Sequence, residues 1–275
     1  ALIAVFLLSF SRITYLQAKT VKYNYPGQEE VDDDSGDDGG DAEVDDDSDD
    51  DDESDDDDEG EDLVEQAKEQ FKEGNNKEAI DLCKEAIKAN PKNREAYNQL
   101  GLVYKLIGKY NKALKYYFQS RRMNTEMGLK RSLARDYTNI GLIYIMKKNY
   151  NRAVEYYKKA LDIRNKLDDR IGIAVTKNSF ALLYINRDND YDKALLLYNE
   201  SLQYMIGADY KEGIALTYWM MGVIYEKKVN YLKALDYYKK SRDIFIEIDN
   251  PNYNNIQALI GNINKKLNRN NENDE

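Results

Sequence analysis

The sequence predicts an all-α solenoid of stacked antiparallel helix hairpins, and three observations predict it. Segments recur with a period near 40, so that Tyr104, Tyr144, Tyr184 and Tyr225 lie 40, 40 and 41 residues apart. Within each segment the apolar residues fall at i, i+3, i+4 and i+7, which is one face of an α-helix. Small residues stand where paired helices must approach: Gly101, Gly141, Ala181 and Gly222 on the first helix, Ala113, Ala153, Ala194 and Ala234 on the second. A pair of amphipathic helices cannot cover its own apolar faces, so neighbouring hairpins must stack.

The chain opens on an apolar run, Ala1–Phe10. It is shorter than the roughly 20 residues a spanning helix needs, and it fits the apolar core of a secretory signal, about 7–15 residues. Residues 1–18 are therefore read as a signal peptide whose basic start is missing; a buried apolar strand or a truncated membrane anchor is the alternative. With a signal, the mature protein is secreted or periplasmic and keeps no transmembrane span; without one it is cytoplasmic.

Residues 19–60 are expected to be disordered. From Glu29 to Asp62, 24 of 34 positions are acidic, none is basic, and Val31, Ala42 and Val44 are the only apolar residues. Such a segment cannot offset its ordering entropy by burial. Placing Gly60 at the sixth position of a calcium loop puts Asp55, Asp57 and Glu59 at positions one, three and five. Gln66 then stands at the twelfth, where a bidentate glutamate is required, so no calcium loop is expected. The net charge of −11 is thus unevenly placed: from Leu63 onward 37 bases face 27 acids.

Absences narrow the chemistry. There is no histidine, and Cys83 is the single cysteine. His-dependent triads and the usual zinc sites are excluded, so no enzyme, cofactor or metal site is expected. The bases are interspersed with acids rather than massed in a stripe, which argues against nucleic acid as a partner.

Five hairpins are placed at about 61–92, 94–128, 130–168, 170–208 and 211–248. The first carries Phe71, Gly74, Ala79, Cys83, Ala86 and Pro91. Short polar turns, such as Ile107-Gly108-Lys109 and Lys147-Lys148-Asn149, make paired helices antiparallel. Asn250-Pro251 then opens a capping helix over 250–268, apolar at Ile256, Leu259, Ile260, Ile263 and Leu267, before a polar tail over 269–275.

These residues resemble the tetratricopeptide repeat (TPR), whose signature Trp/Tyr–Leu–Gly–Tyr…Ala…Phe/Tyr…Ala…Pro they match over residues 61–248. Added residues at Lys130–Ala134, Arg170–Ala174 and Lys211–Ala215 are similar to the 40-residue variety of cell-polarity adaptors, the kinesin light chain and bacterial regulators, and are expected to lengthen the helices. The resemblance implies a right-handed superhelix whose first helices line a concave groove. Carried over by the matched glycines, it implies groove positions at Asn98, Gln99, Leu102, Arg135, Asn139, Leu142, Asn178, Leu182, Trp219, Met220 and Val223. Amides there would hold the backbone of an extended peptide. Trp219 and Met220 would anchor it, unless Trp219 packs against the next helix pair. Arg131 and Arg135, one turn apart, would grip a ligand carboxylate or else form a solvated face. The two-carboxylate clamp of chaperone-binding relatives is only partial, because Val64 and Lys68 stand where Lys and Asn are expected. The expected function is a non-enzymatic scaffold for a peptide or partner protein, with the acidic leader competing for basic parts of its own array. The alternative is the sensory portion of a larger signalling protein.

Overall fold

The computed structural model describes residues 57–273, with side chains described from 60 to 269. The expected signal segment and the acidic stretch through residue 56 lie outside these residues. Among the described residues eleven helices follow one another: α1 Asp57–Glu73, α2 Asn76–Ala89, α3 Arg94–Leu106, α4 Tyr110–Glu126, α5 Lys130–Met146, α6 Tyr150–Lys166, α7 Arg170–Asp188, α8 Tyr191–Gly207, α9 Lys211–Lys227, α10 Tyr231–Glu247 and α11 Asn252–Asn273. They form five antiparallel hairpins, α1/α2 to α9/α10, with α11 closing the stack on α10. The longer repeats are made by longer helices: α2 and α3 have 14 and 13 residues, whereas α4, α5 and α6 have 17 each.

Each turn is short because one residue serves two helix ends. At the α5–α6 turn Lys148 takes a positive φ of 59°. Its N–H donates to Ile145 O at 2.9 Å, and the Asn149 N–H reaches back to Tyr144 O at 2.8 Å. These bonds satisfy the carbonyls left open at a helix C-terminus. Asn149 then caps the next helix, accepting from the Arg152 N–H at 3.3 Å. Asp169, Asp190 and Asn230 do the same for α7, α8 and α10. A stabilising N-cap contributes about 1 kcal/mol, so these caps place the helix starts firmly.

Between paired helices, a tyrosine ring lies flat on a glycine. A Cβ on Gly101, Gly141 or Gly222 would come within 2.8, 2.5 or 2.6 Å of the ring of Tyr117, Tyr157 or Tyr238. All three rings are fully buried, as is Tyr198, which lies at the matching position opposite Ala181. A second tyrosine layer closes the hairpin edge: Tyr104 stacks on Tyr116, Tyr144 on Tyr156 and Tyr225 on Tyr237, with ring centroids 5.3–5.5 Å apart. A cation sits over the first-helix ring in four hairpins: Lys112 on Tyr104, Arg152 on Tyr144, Lys193 on Tyr184 and Lys233 on Tyr225. The tyrosine content is therefore the packing element of the repeat.

Two boundaries differ from expectation. α1 begins at Asp57, inside the stretch read as disordered, because acids suit a helix N-terminus and Asn93 Nδ2 ties Gly60 O to the next hairpin at 3.0 Å. α11 runs on to Asn273, past the expected end at 268. Among the described residues no helix is long and apolar enough to cross a membrane.

Candidate functional site

First helices of neighbouring hairpins touch directly, α1 with α3 and α5 with α7. This puts them on the inside of the curvature, where a groove would lie. Side-chain bonds between them confirm the approach: Arg135 Nη2 reaches Glu95 Oε2 at 2.9 Å across α3–α5, and Asn178 Nδ2 reaches Thr217 Oγ1 at 3.0 Å across α7–α9.

The groove residues expected from the sequence divide by depth. Asn98, Gln99, Leu142, Asn178, Leu182, Trp219 and Met220 are buried. They form the floor between hairpins rather than a free surface. Trp219, 8 % exposed, belongs to the continuous core that runs through the stack. The expected amide ladder is corrected at two rungs, because Asn98 and Asn178 spend their donors on the next hairpin. Leu102, Arg135, Asn139 and Val223 are half-buried, and Arg131 is exposed. Arg131 and Arg135 do not form the expected joint grip: Arg135 is engaged by Glu95, whose other oxygen lies 3.9 Å from Lys68 Nζ. A carboxylate on a neighbouring helix claims the guanidinium before any ligand does.

Three polar centres escaped the sequence reading, and the first two sit at junctions between hairpins. Asp136 is fully buried and accepts from Asn98 Nδ2 at 2.9 Å, Ser120 Oγ at 3.0 Å and Asn124 Nδ2 at 2.6 Å. Burial pushes its carboxyl up to about 6, even though the three donors and Arg135 favour the charged form. At the next junction the position of Asn124 is held by Arg164, 5 % exposed, which donates to Gly172 O and Thr176 Oγ1 and lies 3.8 Å from Asp169. Burial lowers this guanidinium to about 10. Gly172 is required there, since a Cβ would stand 2.0 Å from Asp169 Oδ2 and 2.7 Å from Arg164 Nε. The third centre is Lys105 on α3, 6 % exposed, whose ammonium burial lowers to about 7. The matching positions in the next two hairpins are Ile145 and Ile185, so an apolar row hid it. Cys83 is fully buried and its thiol is pushed up to about 12 by burial, which makes it an inert core residue. Among the described residues, no cluster of three or more His, Cys, Asp or Glu side chains is placed to hold a metal ion.

A tetratricopeptide repeat model matches residues 132–205, and a TPR repeat model matches residues 67–108. Residues 67–108 and 132–205 are tetratricopeptide repeats. No curated protein matches its sequence. Among solved structures, the TPR array is similar to BtubC (BKLC) from P. vanneervenii, with 22% identity and a TM-score of 0.53 over 69% of this chain and 80% of that one. It is similar to the apo form of RapI, with 19% identity and a TM-score of 0.58, covering 74% of this chain and 77% of that one. It is also similar to NprR in complex with its cognate peptide NprX, with 22% identity and a TM-score of 0.55, covering 76% of this chain and 62% of NprR. At these identities the likeness is one of fold.

Proposed function

We propose that this TPR array is a non-enzymatic interaction module whose inner face binds an extended peptide or an extended segment of a partner protein. One observation carries the reading: along matching first-helix positions the inner face changes from charged to apolar. Glu95 and Arg135 stand at one end, and Val175 and Leu216 follow, the last beside buried Trp219 and Met220. Half-buried Leu102, Asn139 and Val223 form the accessible strip above the buried floor. A rigid floor with an accessible strip suits an extended ligand, because less of the binding energy is lost to ordering the receptor. The shared fold of NprR, crystallised with its cognate peptide NprX, supports the reading. A location outside the cytoplasm belongs to the same proposal, on the strength of the apolar run Ala1–Phe10.

The test is a selection of peptides from a displayed random library against the full chain. Asn139→Phe and Val223→Arg, which obstruct the strip, are expected to weaken selected peptides about tenfold or more, equivalent to about 1.4 kcal/mol. Lys239→Glu, on the exposed side of α10, should leave them within twofold. Peptides that bind all three variants as they bind the parent would place recognition off the inner face.

A further inference from the structure

We propose that Lys105 is an anion-binding position of the inner face, taking a carboxylate of an acidic peptide segment, with the Gln99 amide as a second polar contact to the same ligand. The inference rests on the reading of the inner face as a groove and adds the chemistry of its occupant.

The stack supplies its own internal comparison. The position of Lys105 recurs as Phe71, Ile145, Ile185 and Glu226, one per first helix, and as Lys266 in the capping helix. At the C-terminal end the row is complete: Lys266 Nζ meets Glu226 Oε1 at 2.8 Å across adjacent helices, and the Tyr238 hydroxyl donates to Glu226 Oε2 at 2.8 Å. Lys105 occupies the same kind of slot between Phe71 and Ile145, both apolar. Among the described residues its ammonium has neither a hydrogen bond nor an ion pair, although only 6 % of the residue is exposed. Removing an ammonium from water without a partner is costly, and a carboxylate brought by a ligand would supply that partner.

Gln99 makes the second, independent observation. It lies on the same helix, is 2 % exposed, and its Nε2 has no hydrogen-bond partner among the described residues. Six residues separate it from Lys105, about 9 Å of helix rise. An extended chain covers that distance in about three residues, so one strand can offer a carbonyl to Gln99 and an acidic side chain to Lys105. Other cations of this end are engaged: Arg135 pairs with Glu95, and Lys68 pairs with Glu65 at 2.5 Å. Lys105 is therefore the buried cation still lacking its anion.

Two sources share this chemistry. One is the chain's own acidic run, 19 acids between Glu29 and Asp56, joined to α1 at an effective concentration of roughly millimolar. The other is an acidic segment of a separate protein.

The probe is a fluorescein-labelled peptide with the sequence of residues 45–56, followed by fluorescence anisotropy. Two full-length proteins are compared: the parent, and a form in which the acids of residues 45–56 are replaced by serine. On the serine form, Lys105→Met is expected to weaken the peptide at least fivefold and Lys105→Arg less than twofold. Lys239→Met, an exposed charge removal on α10, should also cost less than twofold. The melting temperature of Lys105→Met should not fall, because a buried unpaired charge has been removed. Weaker binding to the parent than to the serine form assigns the site to the chain's own leader; equal binding assigns it to a partner in trans. Absence of binding to the serine form, or equal losses in Lys105→Met and Lys239→Met, overturns the proposal. Asn139→Phe separates it from the groove reading: loss there without loss in Lys105→Met removes Lys105 alone, and loss in neither removes both.

Discussion

Val229 holds a φ of 58° in the turn between α9 and α10, a left-handed conformation that a β-branched residue adopts at a cost. The matching turn residues earlier in the stack are Gly74, Gly108, Lys148 and Asn189, at 92°, 77°, 59° and 51°. The valine is 64 % exposed and so recovers little by packing. The hydrogen bonds of its turn, Val229 N–H to Glu226 O and Asn230 N–H to Tyr225 O, are made by backbone and survive substitution. Val229→Gly is therefore expected to stabilise the fold by about 0.5–1 kcal/mol, after allowing for the greater chain entropy of glycine in the unfolded state. Urea unfolding of the two proteins measures this, and a lower midpoint for the glycine form would show that the turn is not strained.

The junction between hairpins is the element where buried polarity replaces apolar packing. Asp136 gathers donors from α3 and α4 onto α5, so three helices depend on one carboxylate. Asp136→Ala strands Asn98, Ser120 and Asn124 in the interior and is expected to cost about 3 kcal/mol near neutral pH. The pH dependence has a definite sign. A carboxyl raised to about 6 in the fold binds its proton more readily there than in the unfolded chain. Its contribution is fully present below the unfolded value near 4 and is lost as pH rises through about 6. The cost of Asp136→Ala should therefore grow by about 1 kcal/mol between pH 7 and pH 5 in urea titrations. A cost that shrinks over that window would mean the carboxylate is held charged instead. At the following junctions Arg164 and the pair Asn178–Thr217 perform the same joining without a buried acid.

At the scale of the molecule, hairpins depend on their neighbours, and α11 is the last neighbour. Its Ile256, Ile260 and Ile263 are buried at 0–4 % exposure, and Lys266 reaches back to Glu226. Fully burying such side chains contributes about 1.5–3 kcal/mol each. Ending the chain after Asn250 should lower hydrogen-exchange protection in α9 and α10 and leave α1 to α3 close to the parent, as nearest-neighbour stability requires. Equal loss of protection throughout would show that the stack melts as one unit.

Helices, hairpins and turns were legible because they are written locally. The 3.6-residue apolar spacing places each helix, and the return of Tyr104 as Tyr144, Tyr184 and Tyr225 places each hairpin. Lys147-Lys148-Asn149 could be read as a turn from its own three residues. The lengthening of the helices followed from the added residues between copies. The site was legible only as a set of inward-facing positions. Whether such a position is floor or surface depends on how closely the next hairpin approaches, and that partner lies about one repeat away. Asn98 meets Asp136 at a separation of 38 residues, and Asn178 meets Thr217 at 39. Lys105 looked like one more member of a row that is otherwise largely apolar. By itself the sequence determined the helices, their pairing and the faces they turn inward, since these follow from short-range periodicity. Only the tertiary structure decided which inward side chains are consumed in holding the stack and which stay accessible, because desolvation and hydrogen-bond competition arise only where hairpins meet.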